Sequence, residues 1–193
     1  MLPRITVEVP VLAVGERASD YEALGRYLHA LRRPRGLHMT LLHLGVLEDL
    51  AKDVADWTKG FADPEQTMRT TLAWLDALPV LDGFFGISKR LVPLGGGNVT
   101  ALEVEVSAEV RRFQVSLVEA LHELLDSLSM DNIDDFILGS RALGFRSPRW
   151  IPHVAVGRPM TRHGEFWDIE PLRIEFGSSR IRNRQFLPKV TGN

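Results

Sequence analysis

The stretch Leu37-His38-Met39-Thr40-Leu41-Leu42-His43-Leu44-Gly45 decides how the rest of the chain is read. It is a mostly apolar run closed by glycine, and it predicts a strand with one imidazole and one hydroxyl two positions apart. Alternate residues of an extended chain share a face, so His38, Thr40 and Leu42 are expected to point one way. Met39, Leu41 and His43 are expected to point the other. A proton carrier beside a hydrogen-bond donor is half of what holding and cleaving a phosphate ester requires.

A second stretch, Trp150-Ile151-Pro152-His153-Val154-Ala155-Val156-Gly157-Arg158, repeats this grammar. Each has a turn, then histidine, an apolar residue, a small residue, another apolar residue, and glycine within a few positions. His153 and Ala155 are predicted to share a strand face, with Val154 and Val156 on the opposite one.

Composition sets the limits around these two strings. With 193 residues, 45% of them apolar and 25% charged, the chain can bury a core as one large domain or two intimate lobes. It has no cysteine, hence no disulfide framework and no thiolate ligand or nucleophile, which fits a cytoplasmic location. No apolar run reaches the length of a membrane span and no charged-then-apolar leader opens the chain, so no membrane partner is expected. The net charge of −2 excludes a generally basic nucleic-acid coat and leaves room for a local basic cleft.

The remaining segments read outward from the motifs. Residues 4–14 alternate, with Ile5, Val7, Val9 and Val11 opposed to Thr6 and Glu8; Pro10 predicts an edge strand or a bulge. Ser19 and Glu22 form a capping-box signal, and Tyr21, Leu24, Leu28 and Leu31 predict a helix ending near Arg33. Two helices are expected between residues 48 and 78, followed by a hairpin of Phe84–Leu94 and Asn98–Val106 around Gly95-Gly96-Gly97. Ser107 caps the strongest helix, with Val110, Phe113, Leu117, Leu121, Leu124 and Leu128 as its stripe. Residues 129–149 lose all periodicity and predict a long loop of the kind that serves as a lid. Leu172, Ile174 and Phe176 mark a last strand. Hairpins with interspersed helices define an α+β chain with mainly antiparallel sheet.

Taken together, the two motif strings resemble the paired His-x-Thr/Ser signature of the 2H phosphoesterase superfamily, which includes the 2′-5′ RNA ligase and cyclic phosphodiesterase families. The first, His38-Met39-Thr40-Leu41, matches fully. The second, His153-Val154-Ala155-Val156, departs at Ala155, where that family carries a hydroxyl. The resemblance implies two pseudo-symmetric lobes of antiparallel sheet flanked by helices, each lending one motif strand to a central cleft. Residues 1–193 are then expected to form a single bilobal domain, and a monomer. His38 and His153 would be the acid–base pair and Thr40 a phosphate ligand, with position 155 beside the phosphate and neither metal nor cofactor needed. The implied substrate is RNA or a nucleotide: an RNA-like 2′,3′-cyclic, 2′-5′ or cyclic-nucleotide phosphodiester.

The chemistry of such a pair is general. Histidine titrates nearest neutral pH, so two of them can hold opposite protonation states in one cleft. Which is acid and which is base is not read from the sequence. Arg32, Arg33 and Arg35 precede His38, while Arg146, Arg149 and Arg158 bracket His153; Arg180, Arg182 and Arg184 alternate and share a face if the strand continues. Arg158 is the candidate anion contact among them, and Trp150 a candidate platform for a base, with a core or rim position as its alternative. His29 and His122 are expected on solvated helix faces and His163 in a polar connection. The absent hydroxyl at Ala155 keeps a second reading open, a non-catalytic nucleotide- or RNA-binding module on the same fold. An unrelated α+β interaction domain with buried histidines is the third.

Overall fold

The computed structural model describes residues 4–143, 150–161 and 164–183. Arg146, Arg149, His163 and Arg184 lie outside the described residues. The strands are β1 (Arg4–Val14), β2 (Leu28–Leu31), β3 (His38–Val46), β4 (Phe84–Leu94), β5 (Val99–Glu105), β6 (His153–Pro159), β7 (Trp167–Phe176) and β8 (Arg180–Asn183). The α-helices are α1 (Ala18–Glu22), α2 (Leu47–Trp57), α3 (Pro64–Ala77), α4 (Ala108–Ser127) and α5 (Ile133–Gly139). All strand pairs are antiparallel, so the fold is α+β as the sequence pattern implies.

Strand β1 belongs to two sheets. Arg4 to Pro10 pair with β3, and the Ile5–Glu8 part pairs on its other side with β8. Val11 to Val14 pair instead with β7, which continues through β4, β5 and β6 to β2. Pro10, which has no N–H to donate, sits where β1 changes sheets, and a register shift follows between Val11 and Ala13. The proline therefore marks an irregularity in a central strand, not an edge.

This arrangement sets the two motif strands side by side. β3 and β6 approach within 8 Å between Cα atoms without sharing a ladder. They are joined by side chains and loops: Trp150 Nε1 donates to the Thr40 carbonyl (3.1 Å), and Arg32 N to the Val156 carbonyl (2.7 Å).

The helix expected through Arg33 stops early. After α1 the chain tightens into a 3-10 turn, Ala23–Tyr27, and then forms β2 on the free edge of β6. Leu28 and Leu31 still face inward, because a register shift between Leu28 and Ala30 puts residues of odd spacing on one side. Helical spacing and a bulged strand leave the same trace here, and pairing with β6 decided between them. The Tyr21 hydroxyl donates to the Arg32 carbonyl (2.8 Å) and fastens the fold-back.

The other helices follow their stripes. In α4 the Ser107 hydroxyl accepts from Val110 N (3.3 Å), and Val110, Leu117, Leu121 and Leu124 are buried. Each fully buried leucine stabilises by roughly 2 kcal/mol. Residues 129–143 are more ordered than a loop: they hold α5, whose Phe136 is buried edge-on to Trp57. Asp53 Oδ2 accepts from Ser140 Oγ, Arg141 N and Ala142 N (2.7, 3.0 and 3.2 Å), anchoring this segment against α2. Seven residues are too few for helical periodicity to show in sequence, and the anchoring gives this part no lid character. No helix among the described residues is long and apolar enough to cross a membrane.

The anchored segment also explains the glycine that closes the first motif. Gly45 has φ +73°, and a Cβ there would collide with the Ala142 carbonyl oxygen. Gly45→Ala is expected to destabilise the chain by more than about 2 kcal/mol, from left-handed backbone strain plus displacement of that carbonyl. Urea unfolding of the two proteins measures it.

Candidate active site

The face that each motif residue occupies follows from the β1–β3 register. Pro10 opposes His38 and Glu8 opposes Thr40; then the register shifts, and Val7 opposes Leu42 while Thr6 opposes His43. The extra residue is Leu41. Met39, Leu41, Leu42 and Leu44 are all essentially without exposure, whereas His38, Thr40 and His43 are half-buried. The bulge thus inverts the strand's phase, and His43 joins His38 and Thr40 on one face instead of pointing away. The Leu41-Leu42 doublet is the only trace this leaves in the sequence.

The two histidines are held alike. His38 Nδ1 lies 3.1 Å from the Gly36 carbonyl and His153 Nδ1 lies 2.8 Å from the Ile151 carbonyl, in each case the carbonyl two residues upstream. A 3-10 turn at Pro34–Gly36 precedes the first ring, and Pro152 immediately precedes the second. Where Nδ1–H donates to its carbonyl, Nε2 is left as the working nitrogen; at His38, Nδ1 also faces a donor, Arg182 Nη1. In β6, Val154 and Val156 are buried, and His153 and Ala155 share the half-buried face. Across the β5–β6 ladder His153 faces Glu103 and Ala155 faces Ala101, so neither strand offers a hydroxyl at that level.

The other two sequence candidates take different places. Trp150 is tied by its indole N–H to Thr40 and lines a cavity of about 470 Å³ with Gln114, Leu121, His122, Ile137 and Leu138. Gln114 Nε2 donates to the Leu41 carbonyl (3.4 Å), so this cavity backs onto the bulge; neither catalytic candidate lines it. Arg158 is exposed and borders a depression with Ala30, Arg32 and Asn98. His29 is exposed on β2, not on a helix, and His122 on α4 lies 3.6 Å from Asp134.

A carboxylate to which the sequence pattern gives no role stands beside His38. Glu8 is wholly buried, and on its far side β8 sets Arg180 opposite Glu8 and Arg182 opposite Thr6. Arg180 donates to Glu8 Oε1 through Nε and Nη2 (3.1 and 2.9 Å). Arg182 Nη1 lies 3.4 Å from Oε2 and 3.2 Å from His38 Nδ1. His38 Nε2 lies 3.6 Å from Oε2. One carboxylate between two guanidiniums leaves net positive charge on the face that carries His38 and Thr40. The available signal was Glu8 alone among valines, together with the alternating arginines. Among the described residues no group of three or more His, Cys, Asp or Glu is placed to hold a metal ion.

No protein-family model and no curated protein matches the chain. Among solved structures, E. coli LigT in its apo form is 14% identical with a TM-score of 0.46, over 95% of this chain and 95% of that one. TT0787 of Thermus thermophilus is 16% identical with a TM-score of 0.45, over 93% of this chain and 83% of that one. The PDE domain of MHV ns2 is 14% identical with a TM-score of 0.33, over 90% and 98%. E. coli LigT has also been solved with 3′-AMP. At these identities and scores the reading of the site stays with its own residues.

His43 gives this face a pH signature. Burial, and secondarily the Arg4 charge, hold its pKa below the ordinary 6.5, and its buried Nδ1 has no hydrogen-bond partner among the described residues. As pH falls below the ordinary value, the unfolded chain takes up a proton that the folded chain refuses. Stability is therefore complete above that value and is lost as pH falls toward the folded pKa. The melting temperature of the wild-type chain is expected to drop more between about pH 7 and about pH 5 than that of His43→Gln. Parallel melting curves would show no difference if the ring were freely solvated.

Proposed function

We propose that the chain is a phosphodiesterase of the 2H type, acting on RNA-like or cyclic-nucleotide phosphodiesters by two-histidine acid–base catalysis without a metal. The observation that carries this reading is the matched pair His38 and His153. They lie on neighbouring strands, half-buried, each with Nδ1 against the carbonyl two residues upstream. Two rings held in one way, with Nε2 left for chemistry, suit a reaction needing one proton taken and one given. Water loses a proton to the neutral ring as its oxygen bonds to phosphorus, and the departing sugar oxygen receives one from the protonated ring. Thr40, on the face of His38, supplies a hydroxyl to a non-bridging oxygen, and the positive charge around Glu8 favours an anion.

The alanine pair Ala101 and Ala155 favours a second reading, a nucleotide- or RNA-binding module without turnover. Incubation with 2′,3′-cyclic nucleotides, 2′-5′ oligonucleotides and cyclic dinucleotides separates the two, since binding without turnover supports the module.

His38→Ala and His153→Ala are each expected to lower kcat by at least about a hundredfold while leaving the fold intact by circular dichroism. Activity is expected to survive EDTA; its loss would point to a metal enzyme. Ala155→Ser is expected to raise turnover of a cyclic nucleotide by about tenfold, near 1.4 kcal/mol for one added hydrogen bond to the transition state. Thr40→Ala is expected to lower it. Silence of both substitutions would mean that the phosphate is held elsewhere.

A further inference from the structure

We infer that Glu8 is a positioning residue that keeps a proton on Nε2 of His38, making His38 the proton donor of the proposed reaction and His153 the acceptor. This rests on the phosphodiesterase reading above and assigns the two roles within it.

The assignment comes from what each ring nitrogen faces. A carboxylate oxygen only accepts hydrogen bonds, and Glu8 Oε2 lies 3.6 Å from His38 Nε2. A lone pair on Nε2 would stand against that negative charge, whereas an N–H is attracted to it. The other nitrogen has two neighbours with opposite demands: the Gly36 carbonyl at 3.1 Å accepts, and Arg182 Nη1 at 3.2 Å donates. A neutral ring with its hydrogen on Nε2 accepts from Arg182 at Nδ1. A doubly protonated ring donates from Nδ1 to Gly36 and turns Nε2–H toward Glu8. Both states carry Nε2–H; the neutral ring with hydrogen on Nδ1 is the one Glu8 disfavours. The gap of 3.6 Å exceeds a hydrogen bond, so Glu8 favours Nε2–H by its charge without accepting that hydrogen in a hydrogen bond.

His153 shares the backbone contact but, among the described residues, has no ion pair with a carboxylate. Its Nδ1 donates to the Ile151 carbonyl at 2.8 Å, so a neutral ring has its lone pair on Nε2. Glu103, the charged residue opposite it across the ladder, makes no hydrogen bond to the ring among the described residues. The charged groups beside His38 are Glu8 and Arg182, with Arg180 paired to Glu8; Glu8 is buried while both arginines reach solvent.

The step balances. Water oxygen bonds to phosphorus as its proton passes to His153 Nε2. The bond from phosphorus to the sugar oxygen breaks, its electron pair stays on that oxygen, and the proton comes from Nε2 of doubly protonated His38. This leaves His38 with the lone pair that Glu8 disfavours, which speeds reprotonation from solvent, while His153 releases its proton.

Glu8→Gln tests the inference, because its amide can present N–H groups where the carboxylate presented only acceptors. Two diesters are used: a 2′,3′-cyclic nucleotide, whose alkoxide must be protonated to leave, and a nitrophenyl phosphodiester, whose leaving group needs no proton. Glu8→Gln is expected to lower kcat on the cyclic nucleotide by about tenfold or more with KM little changed, and to alter the nitrophenyl ester by less than about twofold. His153→Ala is expected to lower both. Glu8→Asp, which keeps the charge and is the variant of choice should glutamine not be tolerated, is expected to retain more cyclic-nucleotide turnover than Glu8→Gln. Ring 15N spectra are expected to show Nε2–H on His38 in the wild type and a shift toward Nδ1–H in Glu8→Gln. Equal loss on both diesters, or an unchanged His38 ring signal, overturns the inference and leaves Glu8 a structural ion-pair partner. Should the wild-type chain cleave neither diester, the phosphodiesterase reading falls and the donor role with it. The ring spectra still decide whether Glu8 holds the proton on Nε2.

Discussion

A carboxylate with no solvent exposure, Glu8, lies in the middle of the three strands β3, β1 and β8. Left unpaired there, it would cost several kcal/mol or simply take up a proton. Arg180 and Arg182 come from a strand 172 and 174 residues away in sequence, and β8 pairs only with β1 among the described strands. The C-terminal strand therefore has an electrostatic reason to close on β1 beyond its few backbone hydrogen bonds. The same contacts bring the Arg182 guanidinium to His38 and leave Arg180 paired to the other oxygen of Glu8. Folding the sheet and charging the site are one event here. A hydrophobic residue at position 8 would have served a purely structural sheet at least as well, since buried ion pairs are weak stabilisers when compared with apolar replacements.

The second constraint is the bulge at Leu41. It buries the consecutive residues Leu41 and Leu42 against the core and turns His43 to the side of His38 and Thr40. Two side chains from other elements take up the carbonyls around it, Trp150 at Thr40 and Gln114 at Leu41. The irregular backbone is thereby hydrogen-bonded on both sides of the insertion. Because Trp150 stands a few residues before His153, one bond couples the bulge of the first motif strand to the entry of the second. The relative placement of the two histidines depends on that bond as well as on the sheets.

Much of this was legible in the chain itself, wherever one period dominated. The stripe of α4, the glycine hairpin and the alternation of Ile5, Val7 and Val9 announced their elements, and the repeated turn-His-apolar-small string announced the paired histidines. What was not legible involved either a phase change or a partner far away. Leu28 and Leu31 fit a helix and a bulged strand equally, and only pairing with β6 settles which. Strict alternation puts His43 on the wrong face because it has no room for an inserted residue. Helix α5 is too short to show a period. Glu8 looked like the polar face of an ordinary strand, since nothing local shows that two arginines near the opposite end of the chain will cover it.

The pseudo-repeat of the motifs conceals an unequal division of polar groups. Around His38 the face carries Thr40, His43, Thr6, Glu8, Arg180 and Arg182; around His153 it carries Ala155 and Ala101, with Glu103 as the charged neighbour. A phosphate between the two rings would thus find its hydroxyl and cationic partners on one side only. Such asymmetry is a disadvantage if the site must grip two oxygens equally. It is an advantage if the two histidines must differ, because identical surroundings would give identical rings and a poorer acid–base pair. The absence of a hydroxyl at position 155 and the presence of a carboxylate at position 8 then belong together. In the proposed reaction, one would leave the proton-accepting side without a donor, and the other would charge the side that gives the proton.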